Sequence, residues 1–187
     1  RIPAWSEESS IKLGDEKTVH PESGTFFKID RRWSGKTEIR MVFPMEPRVS
    51  HRHRNALVIE RGPLVYSLKM GEDWVRVNEG EPHRELPHAD WEVYPTTPWN
   101  YALDLNEKAL EELEFTEHPI GEYPFSPSGA PVSTVVKGAR TDAWRLENGS
   151  AGEIQESPVR AEGQLIELVL VPYGCTNLRI TEFPTVK

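Results

Sequence analysis

A few side chains in this sequence carry chemistry that their spacing could put to use. His51 and His53 stand two apart in His51-Arg52-His53-Arg54. On an extended strand they would point to one side and could hold zinc or copper, given a third ligand. The spacing names no third ligand, and a solvated basic turn accounts for the run better. Glu60-Arg61 closes an apolar stretch, where a carboxylate beside a guanidinium reads as a structural ion pair rather than an acid catalyst. Paired carboxylates could act as general acid and base. Asp90 with Glu92 and Asp142 with Glu147 are near in sequence, yet spacing selects no pair from 30 acidic residues. Cys175 is the single cysteine. It would be a nucleophile only beside a group that ionises it, and a buried inert thiol is the default. No phosphate-binding glycine loop, G-x-S-x-G elbow or H-E-x-x-H helix is present. No catalytic residue and no metal ligand is assigned.

Aromatic residues offer a different chemistry, since exposed Trp and Tyr faces stack on the C–H faces of sugar rings. Trp91, Tyr94, Trp99 and Tyr101 fall within eleven residues around Pro95 and Pro98. Trp99 and Tyr101 share a strand face with Leu103 and Leu105, so core packing explains them. Trp91 and Tyr94 lie on opposite faces of their own segment beside a proline-rich loop, and they are the candidate carbohydrate contacts. Asn148-Gly149-Ser150 matches a glycosylation acceptor, a motif common by chance.

The elements that must position these residues read as short strands. Sixteen prolines punctuate the chain too often for long helices, and aromatic and β-branched residues cluster between them. The first residues, Arg1 to Trp5, read as the middle of a strand. Alternation predicts a hairpin of Thr25–Trp33 and Ile39–Met45 around Ser34-Gly35-Lys36. Ala56–Ile59 reads as a central strand, Leu64–Leu68 as its continuation after Gly62-Pro63, and Trp74–Val77 as a short strand in a loop. Trp99–Leu105 is a strand, and Asn106 caps a short helix through Glu114. Pro119–Pro131 is a loop. Val132–Val136, Ala143–Leu146, a buried Leu165–Val171 and Leu178–Phe183 complete the set. Short strands with turn signals every 8–15 residues predict an all-β sandwich architecture.

Charge divides the chain. Residues 1–70 hold 13 basic and 9 acidic residues, a net of +4, and residues 71–187 hold 9 and 21, a net of −12. A boundary is expected near Met70-Gly71. The overall −8 argues against nucleic acid as a partner, because a binder of that kind needs a basic surface to displace counterions. One cysteine allows no internal disulfide and no multi-cysteine metal site. No run of 18 apolar residues predicts a membrane-spanning helix, and the first residues lack the apolar region of a signal peptide. Cytoplasm, periplasm and secretion are equally compatible with this composition.

Several stretches resemble one family. They are Arg1-Ile2-Pro3-Ala4-Trp5, Phe26 to Trp33, the run Leu57-Val58-Ile59-Glu60-Arg61-Gly62-Pro63-Leu64-Val65-Tyr66, His88 to Tyr94, Trp99 to Leu103, and Pro172 to Ile180. Together they are similar to glycoside hydrolase family 127, the β-L-arabinofuranosidase group. The resemblance implies the C-terminal β-sandwich region of such an enzyme. Residues 1–70 would be the latter part of a first, incomplete jelly-roll-like sandwich and 71–187 a second, with one short helix. It implies an upstream (α/α)6 catalytic barrel as partner, carrying a zinc-assisted cysteine nucleophile and a glutamate acid/base, and no cofactor in this chain. Cys175 matches no catalytic position of the family. The expected role is an accessory one: bracing the barrel, with a second copy as a further candidate partner through dimer contacts. The alternative is a carbohydrate-binding module that contacts glycan through Trp91 and Tyr94. Strands missing from the first sandwich would leave unpaired edges for another segment or chain to cover.

Overall fold

The computed structural model describes residues 1–187, the side chains of residues 107 and 162 excepted. The architecture is all-β. In chain order the strands are β1 (Ser10–Leu13), β2 (Ile39–Val42), β3 (Pro47–His51), β4 (Leu57–Arg61), β5 (Leu64–Leu68), β6 (Glu72–Val77) and β7 (Asp90–Pro95). After β8 (Tyr101–Leu103) comes one short helix, α1 (Glu107–Glu111). Then follow β9 (Phe115–Glu117), β10 (Val132–Arg140), β11 (Leu146–Glu147), β12 (Ser150–Ala151) and β13 (Glu162–Pro172). Two compact units emerge: residues 1–48 with 60–63, and residues 49–59 with 64–187. The charge-based position near Met70-Gly71 falls just after β5, inside the second unit. Charge reports the surface, whereas β5 is tied to that unit by its pairing with β13.

The first unit is thin. β1 and β2 pair antiparallel, Ile11 opposite Met41, and Ile11 also bridges to Val19. Ile2, Ile11 and Leu13 form its buried cluster, with Ile29 and Phe43 packed against them. Ser6 and Ser9 are buried, and the Ser9 hydroxyl donates to the Ser6 carbonyl at 2.9 Å. Two sequence expectations fail here. Arg1–Trp5 ends in a turn rather than running as a strand, and Thr25–Trp33 is irregular. The hairpin partner of β2 is β1, whose Ile11 and Leu13 offer a buried face that Thr25–Trp33 does not. Gly62 turns β4 into β5 at φ +57°, and a Cβ there would lie 2.5 Å from the Met45 sulfur. Glycine meets both demands.

The second unit carries the main core. Seven strands form one sheet in the order β3-β4-β5-β13-β10-β8, with β9 also on β10. β10 and β13 are its long central pair, Thr134 opposite Leu170 and Val136 opposite Leu168. Their inner faces join Leu57, Ile59, Tyr66, Leu68, Tyr101, Leu103 and Phe183 in the core, with Trp99, Leu105, Leu178 and Ile180 packed against it. The alternation of Leu64, Tyr66 and Leu68 and the face shared by Tyr101 and Leu103 are realised.

Other expectations need correction. Leu178–Phe183 forms no continuous strand; Phe183 bridges to Leu57, and the Ile180 carbonyl accepts from Leu68. Ala143–Leu146 begins as a turn, because the Asn100 side-chain amide takes the carbonyls of Thr141 and Trp144 at 2.9 and 3.1 Å. A ladder would have needed those acceptors. Leu165–Val171 lies within β13 but is buried only toward its C-terminal end, and Leu165, Ile166 and Val169 are exposed. Asn106 caps α1 as expected, its Oδ1 accepting from the Ala109 N–H at 2.9 Å, but the helix ends at Glu111. The Asn148-Gly149 turn between β11 and β12 has both residues at positive φ, the geometry that tight hairpins prefer.

Candidate functional site

The candidate aromatics sit on a two-stranded ribbon made of β6 and β7. The register places Trp74 opposite Val93 and Arg76 opposite Trp91, so Trp74 and Trp91 share one face. Their rings meet edge to face at 6.3 Å, and both are about half exposed. Tyr94 lies on the opposite face, opposite Asp73, as the alternation requires. Its hydroxyl donates to Glu92, and that bond, together with the nearby negative charge, raises the phenol above its ordinary pKa. The structure therefore separates Trp91 from Tyr94 and brings Trp91 to Trp74 instead. Sequence reasoning placed a strand at Trp74 but not its partner, because twelve residues of loop lie between β6 and β7.

The base of the ribbon is anchored by Glu72. Its carboxylate accepts from the Asn177 backbone at 3.1 Å, the Asn177 side chain at 2.9 Å and the Trp74 indole at 3.1 Å. Partial burial pushes this carboxyl up, but the hydrogen bonds outweigh it and hold the group below its usual range.

Beside the ribbon, in the same unit, lies an open cleft of about 590 Å3. Pro95 lines it from the end of β7, Pro98, Trp99 and Asn100 from the connection to β8, Arg140 from the end of β10, and Asp142, Trp144 and Arg145 from the turn that follows. Trp99 stands edge to face on buried Trp144 at 5.1 Å, and the Trp144 indole donates to the Gly152 carbonyl at 2.9 Å. Asn100 is buried and locked by its two carbonyl contacts. Arg140 donates through Nε to Asn100 Oδ1 at 3.4 Å and lies 3.5 Å from Asp142. The sequence reading missed this group, assigning Trp99 to the core alone. The string Arg140 to Arg145 mixes charge and aromatic, but its meeting with Asn100 is a tertiary event. A second groove of about 510 Å3 is lined by Asp104, Glu112, Glu114, Glu167 and Lys137; no aromatic side chain lines it to seat a ring.

The remaining candidates take structural places. His51 ends β3, whereas His53 opens a 3-10 turn in which Arg54 and Asn55 adopt positive φ, so the two imidazoles share no strand face. His53 lies 3.5 Å from Glu153, which also pairs with Arg54 at 2.6 Å. Glu60 pairs with Arg48 at 3.1 Å, and Arg61 donates to the Met45 carbonyl. Asp90 is held by Arg84 at 2.8 Å and by Asn78. Asp142 pairs with Arg140, while Glu147 packs at Gly152. The Cys175 thiol is buried and donates to the Pro124 carbonyl at 3.2 Å, and burial pushes its pKa up. Among the described residues no three of His, Cys, Asp and Glu gather as a metal ion would need. Among the described residues no helix is long and apolar enough to cross a membrane.

This all-β arrangement is of a kind found in glycoside hydrolases. A solved glycoside hydrolase matches all of this chain over 27% of its own length, at 20% identity and a TM-score of 0.55. Residues 1–45 match the sequence model of the β-L-arabinofuranosidase GH127 middle domain, so that stretch resembles glycoside hydrolase family 127 in sequence. A GH127 β-L-arabinofuranosidase from Geobacillus stearothermophilus T6 matches 97% of this chain over 24% of its own, at 18% identity and a TM-score of 0.46. The chain thus spans about a quarter of the length of these structures. No curated protein matches.

Proposed function

We propose that this chain is an accessory β region of a GH127-like β-L-arabinofuranosidase and braces that enzyme's catalytic barrel. The observation that carries the proposal is β2. All four of its residues are exposed, including Ile39, Met41 and Val42, and among the described residues it pairs with β1 alone. An open apolar edge is a template for another segment. Phe26 and Trp33 in the same unit are also exposed, and this unit contains the stretch that matches the family's middle domain. In this proposal the zinc and cysteine chemistry belongs to polypeptide outside residues 1–187. Dimer contacts are a further use of the same open edge.

Hydrogen exchange tests the bracing. The amides of Ile39–Val42 should exchange at least tenfold more slowly in the longer polypeptide than in the 187-residue chain. Equal rates in both would remove the proposal.

A glycan contact through Trp91, with Tyr94 on the reverse face, is the second reading, favoured by the exposed Trp74–Trp91 pair. It requires calorimetric heat with neutral arabinotriose that Trp91→Ala abolishes; no heat, or heat that the substitution leaves intact, ends it.

A further inference from the structure

We propose that the cleft beside β8 and β10 binds a carboxylated sugar, a hexuronate unit of an acidic glycan. The site is separate from the Trp74–Trp91 ribbon, and the proposal stands or falls independently of the bracing role. Three properties of the cleft support it. The first is a platform: Trp99, half-buried, lines the opening and rests edge to face on Trp144, which is itself fixed by its indole hydrogen bond. A half-buried ring anchored on a buried one offers a face at little cost in side-chain entropy.

The second property is charge. Arg140 and Arg145 face a single carboxylate, Asp142, within the lining. That surplus of one positive charge sits in a segment, residues 71–187, whose net charge is −12. A cation surplus in such surroundings attracts an anion. Guanidinium groups favour a planar carboxylate, which they can grip with two parallel hydrogen bonds.

The third property is preorganisation. The buried Asn100 amide, fixed by the Thr141 and Trp144 carbonyls, presents Oδ1 to Arg140 Nε at 3.4 Å, and Asp142 holds Nη2 at 3.5 Å. Arg145 donates through Nε to the Asp142 carbonyl at 3.0 Å, which leaves both its terminal amino groups for a ligand. The exposed Asp142 carboxylate also supplies oxygens of the type that bind vicinal hydroxyls. The volume, about 590 Å3, lies in the range of small-molecule sites.

The test is calorimetric titration of the 187-residue chain with trigalacturonate, neutral arabinotriose and inorganic phosphate, with tryptophan fluorescence followed in parallel. Trigalacturonate should bind and change the fluorescence, and added salt should weaken it. Arg145 is exposed, so Arg145→Ala should keep the fold and lose at least about tenfold in affinity; Arg140→Lys, which keeps the charge but not the fork, should also weaken binding. Unchanged thermal melting of each variant checks that the fold is intact. The proposal is overturned by no heat at about 10 mM trigalacturonate, by equal affinity for arabinotriose or for phosphate, or by binding that Arg145→Ala leaves undiminished.

Discussion

Glu72 shows how one side chain can join distant parts of this chain. It receives hydrogen bonds from Trp74 two residues away and from Asn177, 105 positions later. Its pKa lies below the ordinary carboxylate value, because those donors favour the charged form over the cost of partial burial. A depressed folded pKa contributes stability that is present above the unfolded value and lost as pH falls through the folded one. Glu72→Gln should therefore cost about 1–2 kcal/mol near neutral pH, the scale of hydrogen bonds to a charged acceptor. The difference in melting temperature between the two proteins should close as the medium is acidified below the carboxylate range. A gap that persists unchanged at pH ~3 would show that the carboxylate charge is not what holds Asn177.

Among the elements, β10 holds the greatest structural responsibility, since β13, β8 and β9 all pair with it. Gly138 marks the place where it is most crowded. A Cβ there would lie 2.6 Å from Leu168 and 2.8 Å from the Ala102 carbonyl, between the two neighbouring strands. The register also shifts between Gly138 and Arg140, as at a β-bulge. Gly138→Ala should destabilise by about 1–3 kcal/mol, the range for forced overpacking, measured by urea denaturation. Arg140, just past the shift, donates to Asn100, so the same substitution should perturb the indole signals of Trp99 and Trp144 in NMR spectra. Stability within error of the parent would show that the strands yield freely at this point.

Across the whole molecule, apolar burial is distributed unevenly between the two units. Among the described residues the second rests on a core of twelve buried residues from Leu57 to Phe183, the first on three. Small cores bury too little surface to resist opening. In hydrogen exchange on the 187-residue chain, amides of β1 and β2 should therefore exchange well before those of β10 and β13. In the longer polypeptide, the protection expected for β2 should narrow that difference. Exchange of both units at one common rate would mean that they open as a single cooperative body.

What the sequence determined by itself was local: the all-β class, the capped helix at Asn106, and the inward face of Tyr66, Leu68, Tyr101 and Leu103. These follow from proline spacing, cap chemistry and a period of two, all of which act within a few residues. The family resemblance was legible for the same reason, as contiguous strings of residues. Tertiary structure alone decided which strands pair, as β2 with β1 shows, because an alternating strand presents the same pattern to any partner. It also decided the cleft, where Asn100 meets Arg140 and Trp99 meets Trp144 across 40 and 45 positions. A buried amide finds its carbonyls, and a tryptophan its platform, only once the sheet has brought those segments side by side.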